Sequence, residues 1–227
     1  MPERPLLKVC GALAAADLEL LAAAGADLVG LWHGVPGGHA DLDLASVRSL
    51  VASAPRPRPV LVTLSPDAAA VDREMVGAGL SAVQLHGYQS PGVVLALKRA
   101  DPARMVIKVL HVRADTGHCP ERPLFGAYRR AGVDLVLFDV TAADGRIGST
   151  GRSADPAVLA ALAAETGVPF LVAGGVRPGQ AARFAEVRAL PGFAGVDVDS
   201  GVRDGRGVFD AALVRAVRDE WLSAVAA

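Results

Sequence analysis

The stretch Leu6-Leu7-Lys8-Val9-Cys10-Gly11, running into the Ala/Leu-rich segment Ala12 to Ala24, decides how this chain is read. Leu6, Leu7 and Val9 suit a buried strand. Lys8 interrupts them and needs a partner wherever it is buried. Cys10 ends the strand, and Gly11 lets the chain turn sharply. The next thirteen residues have helical propensity and spacing, and Gly25 closes them as a C-cap would. This is one strand–helix unit. A thiol at the C-terminal end of such a strand is a candidate acid or base. A small buried hydrophobe is what most free cysteines are, and both readings stand at this point.

The same unit recurs to the end of the chain. Strands are expected at 27–31, 59–63, 82–86, 105–109, 135–139, 170–173 and 195–198. Helices are expected at about 41–53, 66–77, 90–99, 123–131, 155–166, 178–188 and 209–225. Trp32 to His39, Val112 to Arg122 and the stretch from Asp139 to Arg152 read as loops, being rich in glycine and proline or lacking periodicity. The strands are Val/Leu runs without alternation, as strands covered on both faces should be. Eight such units in one domain, residues 1–227, predict a single (β/α)8 barrel of the α/β class, with an open doubly wound sheet as the other arrangement. Ala24-Gly25-Ala26-Asp27-Leu28-Val29 is similar to Ala131-Gly132-Val133-Asp134-Leu135-Val136, four units later, as duplication of a half-barrel would place it.

Composition narrows the function classes. Hydrophobic residues make up 52% of the 227 residues, enough for a large core, and the formal net charge is −1. Neither a nucleic acid nor an anionic membrane is an expected partner. There is no membrane-length apolar run and no leader pattern, so a cytoplasmic location is expected. The two cysteines, Cys10 and Cys119, make neither a disulfide framework nor a zinc spacing, and Cys119 is expected to be an inert loop thiol. No metal is expected.

The strand ends carry the chemistry. Cys10 ends the first strand and Asp139 the sixth, on opposite sides of a barrel mouth, as removing one proton and delivering another requires. The thiol must approach ionisation near working pH, and Asp139 must stay protonated to act as an acid. Gly174-Gly175 and Ser200-Gly201 follow the seventh and eighth strands, where backbone N–H groups commonly hold phosphate in such barrels. Gly148 to Gly151 offers further donors.

Lys8-Val9-Cys10-Gly11, Val83-Gln84-Leu85-His86-Gly87, Ile107-Lys108, Leu137-Phe138-Asp139, Thr150-Gly151-Arg152, Ala173-Gly174-Gly175 and Val196-Asp197-Val198-Asp199-Ser200-Gly201-Val202 fall in order over nearly the whole chain. Together they resemble the phosphoribosylanthranilate isomerases of tryptophan biosynthesis. The resemblance implies a cofactor-free barrel that converts an aminoaldose to an aminoketose by an Amadori rearrangement, as a monomer or homodimer acting on a small sugar phosphate. It implies that Cys10 is the general base at C2′ of the opened sugar and Asp139 the general acid at the furanose oxygen. Gly151, Gly174, Gly175, Ser200 and Gly201 match phosphate-binding positions, and His86 lines the site without an assigned role.

The chain departs from that pattern in places. The loop after the second strand lacks the family's carboxylate-binding arginine and offers Trp32, His33 and His39 instead. Asp199 stands where the family has a small hydroxyl residue, and two unit charges about 4 Å apart repel by roughly 4 kcal/mol at an effective dielectric near 20. Arg177 and Arg203 are the candidates to offset it. Ser149 replaces a family glycine. These departures leave open a relative that uses the same acid–base pair on another substrate, and a non-catalytic binding barrel.

Overall fold

The computed structural model describes residues 4–53, 56–141 and 154–223. Eight parallel strands close into one barrel in sequence order: β1 (Leu6–Cys10), β2 (Leu28–Trp32), β3 (Arg58–Thr63), β4 (Ala82–Leu85), β5 (Met105–Arg113), β6 (Leu135–Thr141), β7 (Phe170–Val172) and β8 (Phe193–Val198). The seam is the β1–β8 ladder, in which Lys8 pairs with Asp197. Around it lie α1 (Ala15–Ala23), α2 (Leu44–Ser53), α3 (Ala68–Ala78), α4 (Pro91–Ala100), α5 (Phe125–Ala131), α6 (Pro156–Thr166), α7 (Ala185–Arg188) and α8 (Ala211–Leu222). The barrel is therefore closed, and the open sheet is excluded. Among the described residues no helix is long and apolar enough to cross a membrane.

Three local expectations change. β5 extends to Arg113 through Val112, which had read as loop, because its ladder with β6 continues to Arg113 opposite Thr141. The seventh helix shrinks to four residues behind a 3-10 turn, Ala181–Phe184, since Gly179 at φ +79° breaks the chain direction. Trp32 belongs to the end of β2, not to the loop.

Packing separates two faces of every strand. Leu7, Val9, Val29, Leu31, Phe138, Val140, Val196 and Val198 join the helices in the large outer core. A smaller cluster, including Leu28, Val60, Ile107, Leu137, Leu171 and Ala194, fills the barrel interior. Side chains alternate between faces along a strand, so the residues between the outer ones point inward. Lys8 and Cys10 on β1, Gly30 on β2, Asp139 on β6 and Asp197 on β8 are therefore forced to the inside.

The half-barrel similarity has a structural counterpart. Gly25 and Gly132 both lie at φ +88°, past the ends of α1 and α5. Asp27 then donates its amide to Leu7 O and accepts from Leu7 N at 2.9 Å. Asp134 does the same to Val106 O and Val106 N, the latter at 2.7 Å. Each aspartate also holds a cation, Arg4 or Lys98. Asp27→Ala and Asp134→Ala should each lower unfolding stability by about 1–2 kcal/mol, leaving a strand amide without its acceptor. The sites are four units apart, so denaturant titration of the double variant should give the sum.

Candidate active site

A pocket open to solvent lies at the C-terminal mouth of the barrel. Cys10, Trp32, His86, Asp139, Asp197 and Asp199 line it, together with Gly174, Gly175, Ser200 and Gly201. Residues from β1, β2, β6 and β8 and from the turns after β4, β7 and β8 thus converge on one space.

The wall around Cys10 is a buried charge cluster. Lys8 Nζ donates to Cys10 Sγ at 2.7 Å and to Asp197 Oδ2 at 2.9 Å, and Cys10 Sγ lies 3.5 Å from the same oxygen. Lys8 is wholly buried and Asp197 nearly so. Burial pushes the Cys10 thiol up to about 12, with the Asp197 charge adding to it and the Lys8 ammonium opposing. Burial also raises the Asp197 carboxyl against the pull of Lys8. Burial disfavours the Lys8 charge, but Asp197 and Cys10 together hold it as ammonium. Gly30 makes room: a Cβ there would sit 2.5 Å from Cys10 Sγ and 3.2 Å from Lys8 Nζ.

On the facing wall, burial raises the Asp139 carboxyl to about 6, opposed by His111 and reinforced by Asp197. Asp139 therefore exchanges its proton near neutral pH. His86 Nε2 stands 3.7 Å from Asp139 Oδ2, and its Nδ1 meets Gln84 Nε2 at 3.0 Å. Burial drops His86 to about 3, with His111, Lys8 and Lys108 acting in the same direction, so it is a neutral ring. Behind Asp139, His111 occupies the matching position on β5, and Glu121 grips its Nδ1 at 2.6 Å.

Near the glycine turns, Gly174 and Gly175 take φ +75° and +74°. A Cβ at Gly174 would fall 2.6 Å from Val140, and one at Gly201 would fall 1.9 Å from Val176 O. Only glycine permits these backbones to pass so closely. Asp199 does not stand alone: Arg203 Nε donates to its Oδ1 at 2.7 Å, and His39 Nε2 lies 3.2 Å from Oδ2. The Arg203 guanidinium stacks 3.8 Å over Phe209 and also donates to Gly11 O. The repulsion expected from Asp199 is thereby offset by Arg203. His39 meets the Trp32 ring edge-on, at 4.8 Å between centroids.

His33, expected at the site, stands apart from the pocket lining. Its Nδ1 bonds Leu42 O at 2.7 Å and its Nε2 faces Glu74 of α3, so it braces the loop against the helix layer and does not line the pocket. Gly151, with the rest of the Gly148–Gly151 stretch and Arg152, lies outside the described residues. Cys119 is buried beside Glu121, away from the pocket. Asp197 stands in a quoted motif but, like His111, has no role assigned from sequence. A charged residue between two valines of a buried strand was the available signal for Asp197.

Residues 7–220 match the sequence profile of N-(5′-phosphoribosyl)anthranilate (PRA) isomerase. The chain belongs to this family. It is 34% identical to the N-(5′-phosphoribosyl)anthranilate isomerase of Rhodopseudomonas palustris (strain BisB18), over 93% of each chain. It is 37% identical to that of Azorhizobium caulinodans, over 93% of this chain and 91% of the other. The barrel superposes on the phosphoribosyl anthranilate isomerase of Thermus thermophilus with a TM-score of 0.75 at 25% identity, covering 95% of this chain and 97% of that one. A further isomerase structure, in complex with reduced 1-(o-carboxyphenylamino)-1-deoxyribulose 5-phosphate, shares the fold at a TM-score of 0.73 and 20% identity, covering 96% and 98%.

Within this family frame the state of Asp139 has a cost that can be measured. A carboxyl raised from 3.8 to about 6 favours the protonated folded form, so stability is lost as pH rises through 4 to 6. Asp139→Asn should match the parent near pH 4 and exceed it at about pH 8 by up to about 3 kcal/mol, read by chemical denaturation at both pH values.

Proposed function

We propose that this barrel isomerises N-(5′-phosphoribosyl)anthranilate, with Asp139 as general acid and Cys10 as general base. The observation that carries the reading is that thiol, carboxyl and glycine turns all line one pocket. Asp139 gives its proton to the furanose oxygen as the C1′–O bond breaks and the nitrogen lone pair forms the iminium. Cys10, as thiolate, takes the C2′ proton, and that C–H pair becomes the C1′=C2′ bond of an enolamine. The thiol then returns a proton to C1′, and the 2′-hydroxyl proton returns to Asp139 as the C2′ ketone forms. Both groups are restored and no co-reactant is needed.

The remaining lining residues suit the two ends of such a substrate. The turns Gly174-Gly175 and Ser200-Gly201 offer backbone N–H groups to the phosphate, and Arg203 offsets Asp199 beside it. Trp32 offers a flat wall for the aryl ring, steadied by His39. His86, held neutral, is placed to keep Asp139 oriented. Two buried, unpaired thiols fit a reducing cytoplasm.

Assay with phosphoribosylanthranilate tests the reading. Cys10→Ala and Asp139→Asn should each cut kcat by about 10²–10⁴-fold with the fold intact by circular dichroism. Wild-type protein should rescue an isomerase-deficient tryptophan auxotroph, and neither variant should. Well-folded wild-type protein without turnover would reject it.

A further inference from the structure

A base must give up its own proton before it can take another, and the surroundings of Cys10 oppose that. The thiol is buried, and releasing its proton to solvent would leave Lys8, Asp197 and Cys10 with one net negative charge on a largely buried wall. The three side chains touch one another, however, at 2.7, 2.9 and 3.5 Å. Asp197 lines the pocket, and its second oxygen, Oδ1, is buried with no hydrogen-bond partner among the described residues.

We propose that Asp197 is the internal acceptor of the Cys10 proton, and that Lys8 is the positioning residue that holds both partners for the transfer. This rests on the reading of Cys10 as base. The S–H bond breaks, an O–H bond forms on Asp197, and the ammonium keeps its proton and both hydrogen bonds. The cluster starts as cation, anion and neutral thiol, and becomes cation, neutral acid and thiolate. Its net charge is zero before and after, so the transfer avoids placing a net charge in the buried wall. The thiolate so formed is hydrogen-bonded to the ammonium and ready for the C2′ proton. When the thiol has delivered that proton to C1′, Asp197 returns its own to sulfur, and the starting state is restored.

Among the described residues, the charged and titratable groups facing the cluster are Lys8 and Cys10 themselves from β1, Asp197 and Asp199 from β8 and the turn after it, Asp139 from β6 and the neutral His86 from the turn after β4. Asp199 is itself held by Arg203 and His39.

The pair Lys8→Gln/Asp197→Asn is the test, read by kcat and KM against pH with phosphoribosylanthranilate, because it removes the acceptor without leaving an unpaired ammonium that would itself favour the thiolate. Expected is a loss in kcat of about 100-fold near pH 7 with KM within roughly threefold. Above that, the ratio of wild-type to variant kcat should shrink by about tenfold per pH unit, because the variant's thiol must lose its proton to solvent. Dividing by wild type removes the contribution of Asp139. A variant with unchanged kcat, or with a pH-independent deficit, would overturn the proposal. Should that pair fail to fold, Lys8→Met/Asp197→Leu replaces both charges with apolar side chains and carries the same prediction. Cys10→Ala separates the two claims. If it stays active, the reading of the base fails. If it is dead while the double variant behaves as wild type, only the Asp197 role fails.

Discussion

A fully buried ammonium governs this barrel. Lys8 lies wholly inside the sheet, held by Asp197 and by the sulfur of Cys10. Burying two ions costs several kcal/mol each after relaxation, and their attraction offsets this only with close geometry and further hydrogen bonds. The β1–β8 seam provides that geometry, because Lys8 and Asp197 are register partners across it. Closing the barrel and pairing these charges are therefore one event. The ion pair in turn holds the thiol at one place on the pocket wall.

Around that pair the interior is part apolar and part polar. Leu28, Val60, Ile107, Leu137 and Leu171 belong to one apolar cluster, and Leu137 also lines the pocket. Lys8, Asp197 and Gln84 are buried beside them, with Asp197 on the pocket wall. Burial among them explains opposite shifts on groups close together. Burial keeps Asp139 near a proton and keeps His86 without one. Each group is driven to its neutral form, the state from which Asp139 can donate.

The mouth has a second, more exposed set of charges. Arg203 reaches from the turn after β8 to Asp199 and to Gly11 O, tying the first and last strands together above the ion pair. A Cβ on Gly11 would lie 2.8 Å from that guanidinium, so glycine is needed there for contact as well as for its positive φ. His39 brings the loop after β2 onto the same aspartate. A carboxylate that sequence alone made a liability for an anionic ligand is a tie-point between loops.

Much was legible in the order of residues, because period and punctuation are local. Apolar runs broken by glycine and proline marked eight strand–helix units, and thiol, carboxyl and glycine pairs at strand ends marked one rim of a barrel. The duplicated Ala-Gly-x-Asp segment was visible as well, though its hook onto the preceding strand was not. What lies far apart in sequence needed the fold. Lys8 and Asp197 are separated by nearly the whole chain, and only closure of the sheet makes them neighbours. His33 and His39 look alike as loop histidines, yet one packs against α3 and the other reaches Asp199, because direction depends on where the loop crosses. Sequence determined which residues could do chemistry. Closure, which forces alternate side chains inward and removes water from them, decided which of them meet and in what charge state.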